Sequence, residues 1–239
     1  MVSFKNTCSL INLIFVIFLL FFCMIPLNAT SVDTSYKPWT ILLYNDADFI
    51  QGGPGPHYIF AEEVYSNQNM NVIILQDPET GPATVWYVDE NHEFVPLEYW
   101  GEINMGDPIT LQTFIEYGKQ EYPADRYFLF MYNHGSGWKG ACRDDTNNDQ
   151  LSMDEMQQAL FAAGGVTVTC FSAPCLMGAM ESAYELRECT ELYIGSQETS
   201  GYLWWIGTME NITHLLYSNP AVDLSTLGKN IIHYMKLNI

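Results

Sequence analysis

Two stretches constrain the fold of this chain more than any others. Residues 127–132 (YFLFMY) run straight into Asn133-His134-Gly135, and residues 166–171 (VTVTCF) run into Ser172-Ala173-Pro174-Cys175. Each is short and continuously apolar, the pattern of a strand buried on both faces. Between them, Ser152 and Glu155 form the capping box of a helix whose Met156, Leu160 and Phe161 lie on one side, and Gly164-Gly165 ends that helix. Strand, helix and strand of this length make a βαβ unit, so the two strands are expected to be parallel and close in one sheet. His134 and Cys175 then both stand just past the carboxyl ends of parallel strands. Open α/β sheets place their sites on that edge.

The same alternation runs through the rest of the chain. Residues 39–44 (WTILLY) read as a buried strand closed by Asn45-Asp46-Ala47-Asp48, and a Gly/Pro turn covers 52–56. A helix through Tyr58, Phe60, Ala61 and Val64 follows, then a strand over 72–75, with 84–88 as an antiparallel edge. Asp107 caps a further helix with Pro108 at its first position, Leu111, Phe114 and Ile115 face inward, and Pro123 stops it. The fold class expected is α/β, a mainly parallel central sheet flanked by helices.

The N-terminal segment reads as an address. Lys5 is the lone early charge, every residue from Leu13 to Ile25 is apolar, and Pro26 ends the run. Such a run is short for a bilayer and suited to a signal peptide, here residues 1–29 with cleavage before Thr30. A retained anchor is the alternative, and contact with a membrane is expected only in that case. Residues 30–239 then form a single domain. With 28 acidic against 9 basic residues, a net charge of −19, and no basic cluster, the chain offers nothing to neutralise a phosphate backbone. Nucleic acid is therefore not an expected partner. The four cysteines beyond the leader, Cys142, Cys170, Cys175 and Cys189, contain no Cys-x-x-Cys pair, which argues against structural zinc. In an exported chain Cys142 and Cys189 are candidates for a disulfide.

A thiol nucleophile needs a partner that favours thiolate and returns a proton to the leaving amine, and imidazole does both near neutral pH. His134 and Cys175 are the candidate catalytic pair. Gly135 lets a substrate backbone approach, and its N–H together with that of Cys175 forms a candidate oxyanion cradle. A helix beginning near Met177 is expected to turn its positive end toward the sulfur. The competing reading makes both residues structural. Cys170, inside its strand, illustrates it: a small buried hydrophobe. A serine hydrolase is excluded, because Ser136 has His134 two positions before it and Trp138 two positions after it where a nucleophile elbow needs glycines.

Five blocks, in order, resemble the clostripain family of cysteine peptidases: Trp39-Thr40-Ile41-Leu42-Leu43-Tyr44 with Ala47-Asp48; Asn104-Met105-Gly106-Asp107-Pro108 with Thr110-Leu111; Tyr122-Pro123-Ala124; Asn133-His134-Gly135-Ser136-Gly137-Trp138; and Cys175-Leu176-Met177-Gly178. The resemblance implies a caspase-like sheet and a cysteine endopeptidase acting on peptides or proteins, with His134 and Cys175 in the catalytic positions; with the N-terminal segment read as a signal peptide, the enzyme is expected to be secreted. It also implies two pocket acids for a basic substrate residue. Here Ala173 and Leu203 stand in those places, so an apolar pocket is expected and the family's basic preference is not. The chain also stops at Ile239, earlier than the family pattern. No cofactor is required by this chemistry. Some relatives use calcium, and residues 144–149 (DDTNND) offer oxygens at alternate positions. As an EF-hand starting at Asp145 they lack the sixth-position glycine and the twelfth-position glutamate, which are Gln150 and Met156. The alternative function is a catalytically silent homologue that binds peptides or a partner protein.

Overall fold

The structure is a computed structural model, and it describes residues 32–48, 64–200 and 203–237. Nine strands and five helices follow in chain order among the described residues: β1 (Lys37–Ala47), β2 (Met70–Pro78), β3 (Ala83–Val88), β4 (Phe94–Gly101), α1 (Pro108–Glu121), β5 (Ala124–Tyr132), β6 (Ala141–Asp144), β7 (Asp149–Leu151), α2 (Met153–Ala162), β8 (Val166–Phe171), α3 (Met180–Glu185), β9 (Thr190–Ile194), α4 (Leu203–Ser218) and α5 (Leu224–Leu237). Seven strands form one sheet in the order β4-β3-β2-β1-β5-β8-β9, and β6 and β7 form a separate hairpin. From β2 to β9 every pairing is parallel, while β3 and β4 add antiparallel strands on one side. The expected α/β class, a mainly parallel sheet flanked by helices, is what the chain adopts.

Continuous apolarity produces the centre of this sheet. Along β1, Trp39, Ile41 and Leu43 face one side and join Phe128 and Phe130 of β5, Val168 and Cys170 of β8, and Met209, Ile212, Leu216, Leu227 and Ile231 of α4 and α5. Each such side chain taken out of water contributes about 1.5–3 kcal/mol. The alternate residues meet α1 on the opposite face. Tyr44 lies against Phe114, ring centroids 6.1 Å apart, and a Cβ on Gly118 would collide with Leu42. A glycine inside a helix costs about 1 kcal/mol in propensity. Here it lets the helix come down onto the sheet.

The caps form as the sequence implies. Asp107 accepts a hydrogen bond from the Ile109 N–H with Pro108 at the first helical position, and Ser152 and Glu155 make a reciprocal capping box at α2. The strands β5 and β8 are direct parallel neighbours, Phe130 opposite Cys170 and Met131 opposite Phe171. The α2 helix and the β6–β7 hairpin both lie in the crossover between them.

Several expectations are corrected. The segment Asn45-Asp46-Ala47 does not close β1 but continues it, and Asp46 is fully buried. The sheet edge is β4, not β3; its Pro96 and half-exposed alternation are features an edge strand tolerates. Phe161 is 64% exposed instead of facing the core. Cys142 and Cys189 are both buried free thiols, so the disulfide candidate is not formed. The leader and most of the helix through Tyr58 lie outside the described residues; Val64, at its end, is buried in irregular backbone. Among the described residues no helix is long and apolar enough to cross a membrane.

Candidate active site

At the carboxyl end of β5 the chain turns through Asn133-His134-Gly135. The His134 carbonyl accepts from the Cys142 N–H at 3.1 Å, and the Ser136 N–H donates to the Gly140 carbonyl at 2.8 Å, so Gly135 forms an antiparallel bridge with Ala141. Those two bonds come from the residues flanking Gly135, which leaves its own N–H and carbonyl on the opposite edge. The turn after β8 packs directly against Gly135. A Cβ added to Gly135 would lie 2.7 Å from the Cys175 nitrogen and 2.7 Å from the Pro174 Cβ. Only glycine permits this approach. It brings the backbone beside the exposed His134 directly onto the half-buried Cys175.

Ser172 anchors the other side, its N–H and its hydroxyl both donating to the Met131 carbonyl at 3.1 Å. Past Cys175 the chain does not enter a helix at Met177, as the sequence suggests. Leu176 takes a left-handed backbone conformation at φ 63°, and the turn pairs instead with the segment after β9: the Leu176 N–H donates to Glu198 O at 3.1 Å and the Gly178 N–H to Ser196 O at 2.7 Å. The short helix α3 starts only at Met180. The same segment reaches the sulfur, with the Ser200 N–H donating to Cys175 Sγ at 3.2 Å. A backbone donor therefore stands where the sequence reading placed a helix terminus. This contact links residues 25 apart in sequence, and no local pattern announces it.

Of the two pocket candidates, only the Ala173 side chain lies among the described residues. Ala173 is half-buried and packs against the hydrophobic cluster under α4 and α5. Leu203 opens α4, and its side chain lies outside the described residues. Cys170 is buried in β8, where burial pushes its thiol well above the ordinary range; burial does the same to Cys142.

The acidic loop is committed to structure. Asp144, fully buried, accepts from the Met105 N–H at 2.8 Å and the Asn147 N–H at 2.7 Å; Asp145 pairs with Arg143 at 2.8 Å; Asp149 accepts from the Asn104 amide at 2.7 Å. These carboxylates hold the loop's own backbone and neighbours, and they do not fit a calcium cage. Among the described residues no three His, Cys, Asp or Glu side chains converge on a metal position. Beneath the loop lies a feature the sequence reading missed. Asp46 and Asp77 are partners in the β1–β2 register, both buried, and none of their four carboxylate oxygens has a hydrogen-bond partner. Burial, with the charge of Asp144 next in weight, raises Asp46 to about 9; burial, then Glu102, raises Asp77 to about 8.

A mostly parallel sheet of this order, with a histidine loop and a cysteine loop meeting on its carboxyl edge, is the caspase-like architecture. Within that class the chain belongs to the clostripain family, whose sequence pattern matches residues 60–232. It is 41% identical to clostripain of Hathewaya histolytica over 101 residues, 36% of this chain and 19% of that protein. In fold it resembles a secreted C11 cysteine protease from Bacteroides thetaiotaomicron, solved with an irreversible peptide inhibitor (TM-score 0.65, 20% identity, 82% of this chain and 58% of that one). It is also similar to an inactive zymogen C11 protease from Parabacteroides distasonis (TM-score 0.63, 20% identity, 85% and 60%). The chain thus spans less than two thirds of the length of each of these relatives.

Proposed function

We propose that this chain is a secreted cysteine endopeptidase in which Cys175 is the nucleophile and His134 the general acid and base. The observation that carries the reading is the seating of the Gly135 backbone on the Cys175 backbone at the carboxyl edge of the sheet. Cys175 Sγ passes its proton to His134 and attacks the scissile carbonyl, and the N–H groups of Gly135 and Cys175 receive the developing oxyanion. His134 gives a proton to the departing amine as the tetrahedral intermediate collapses to a thioester. Water, deprotonated by the same imidazole, then hydrolyses the thioester and restores the thiol.

Specificity follows from the two replaced acids. Where the family pattern has its two acids this chain carries Ala173 and Leu203, so a bound guanidinium loses its water without gaining a carboxylate from either position, which costs several kcal/mol. The residue before the scissile bond is therefore small or apolar.

A second reading, a silent homologue that binds peptides, has one observation in its favour: the Ser200 backbone lies against the sulfur. The two readings separate by kinetics on mature protein with a panel of peptides. Cys175→Ala is expected to abolish hydrolysis and His134→Ala to lower turnover by about a hundredfold or more. Equal hydrolysis by wild type and Cys175→Ala rules out the peptidase; peptide binding by wild type without any hydrolysis establishes the silent homologue.

A further inference from the structure

Asn133 is 3% exposed, and its side-chain amide uses its whole bonding capacity. Nδ2 donates to the Asp46 carbonyl at the end of β1 at 2.9 Å and to the Arg143 carbonyl in β6 at 3.1 Å. Oδ1 accepts from the Arg143 N–H at 3.3 Å and from the N–H of His134 itself. One amide thus ties together the end of β1, the hairpin strand β6 and the backbone of the histidine. With the His134 carbonyl held by the Cys142 N–H at 3.1 Å, both backbone groups of His134 are fixed, while its side chain stays exposed.

We infer that Asn133 is a positioning residue, which acts on the reaction through His134 by fixing the backbone that carries the imidazole beside the Cys175 loop. The inference rests on the peptidase reading above. Asn133 is buried and its amide is committed to backbone partners, so it is assigned no chemical step. Alanine in its place leaves the His134 and Arg143 N–H groups and two carbonyls without their partner, and the turn is free to drift relative to the Cys175 loop. A displacement of about 1 Å in such a group costs on the order of a hundredfold in rate. Asn133→Asp keeps the shape but sets an acceptor against the Asp46 and Arg143 carbonyls, beside acids that are already buried.

The test is a double-mutant cycle on the mature protein with a good peptide substrate. Asn133→Ala is expected to lower kcat by about 10–100-fold with KM changed less than about threefold. In a His134→Ala background the same substitution should change kcat by less than about twofold, because its effect passes through the imidazole. Binding of the uncleaved peptide to Cys175→Ala should be unaltered when Asn133→Ala is added. If Asn133→Ala lowers kcat as much without His134 as with it, or leaves kcat unchanged in a folded protein, the inference is refuted. Should Asn133→Ala not fold, Asn133→Asp is measured in the same cycle, and loss of the fold in both makes the residue structural and refutes the inference as well. Failure of the peptidase reading looks different: wild type then cleaves nothing or His134→Ala is silent, and the inference falls with it.

Discussion

The carboxyl pair Asp46 and Asp77 should make this protein less stable as pH rises. Each group is buried without a hydrogen-bond partner, and each binds its proton in the folded state far above the value of about 3.9 that it has in the unfolded chain. Between about pH 4 and the folded values of about 8 for Asp77 and about 9 for Asp46, the folded state therefore holds protons that the unfolded chain has lost. Stability is full below that window, falls through it, and levels off above pH 9. One group in this condition contributes a slope of about 1.4 kcal/mol per pH unit, and two acting together reach about 3. For a domain of this size that is a drop in Tm of roughly 3–12 °C per pH unit. Thermal unfolding of Cys175→Ala, followed by circular dichroism from pH 5 to 9, measures it free of self-digestion. Asp46→Asn with Asp77→Asn, which keeps both shapes and removes both titrating groups, should flatten the curve and be the more stable protein at pH 8. A wild-type Tm that holds steady or climbs from pH 5 to 8, or a double variant with the wild-type slope, would refute the reasoning.

Gly135→Ala places a methyl group within 2.7 Å of the Cys175 nitrogen and should lower kcat/KM by more than about a hundredfold, whereas Ser136→Ala, at an exposed position, should leave it within about threefold; steady-state kinetics compares the two. Wild type should cleave after leucine faster than after arginine in otherwise identical peptides, and a preference for arginine that weakens with salt would show that an acid lines the pocket after all. Secreted material should begin near Thr30, and N-terminal sequencing that finds Met1 would mean the leader is kept.

The parts of the fold that were legible in the sequence are those set by local chemistry. The apolar runs of β5 and β8 sit side by side because strand, helix and strand leave few other arrangements, and the caps at Asp107 and Ser152 form where their own side chains reach the first turn. The same pattern puts His134 and Cys175 past the carboxyl ends of neighbouring parallel strands. The illegible parts depend on partners far along the chain. Nothing near Leu176 says that it will pair with Glu198 instead of starting a helix, and nothing near Cys175 says that the Ser200 N–H will meet its sulfur. The stretch Asn45-Asp46-Ala47 has the composition of a turn, yet β2 and β5 pair with it on both sides and carry it on as strand, which buries Asp46. Asn133, the residue before the histidine, carried a signal that was there to be read: a polar residue closing a strand buried on both faces must find partners for its amide. In the β4 strand, Pro96 and the exposed Glu98 and Tyr99 hid an edge strand whose period is otherwise regular.

The central claim, that Cys175 acts as a nucleophile assisted by His134, is tested most directly by mapping the adduct of a peptide electrophile carrying leucine next to the warhead. The expected result is a single modified cysteine, Cys175, labelled at least about tenfold more slowly in His134→Ala, with Cys142, Cys170 and Cys189 untouched because they are buried in the folded protein. Modification of another cysteine at the same rate, or labelling of Cys175 that is indifferent to the loss of His134, would contradict it.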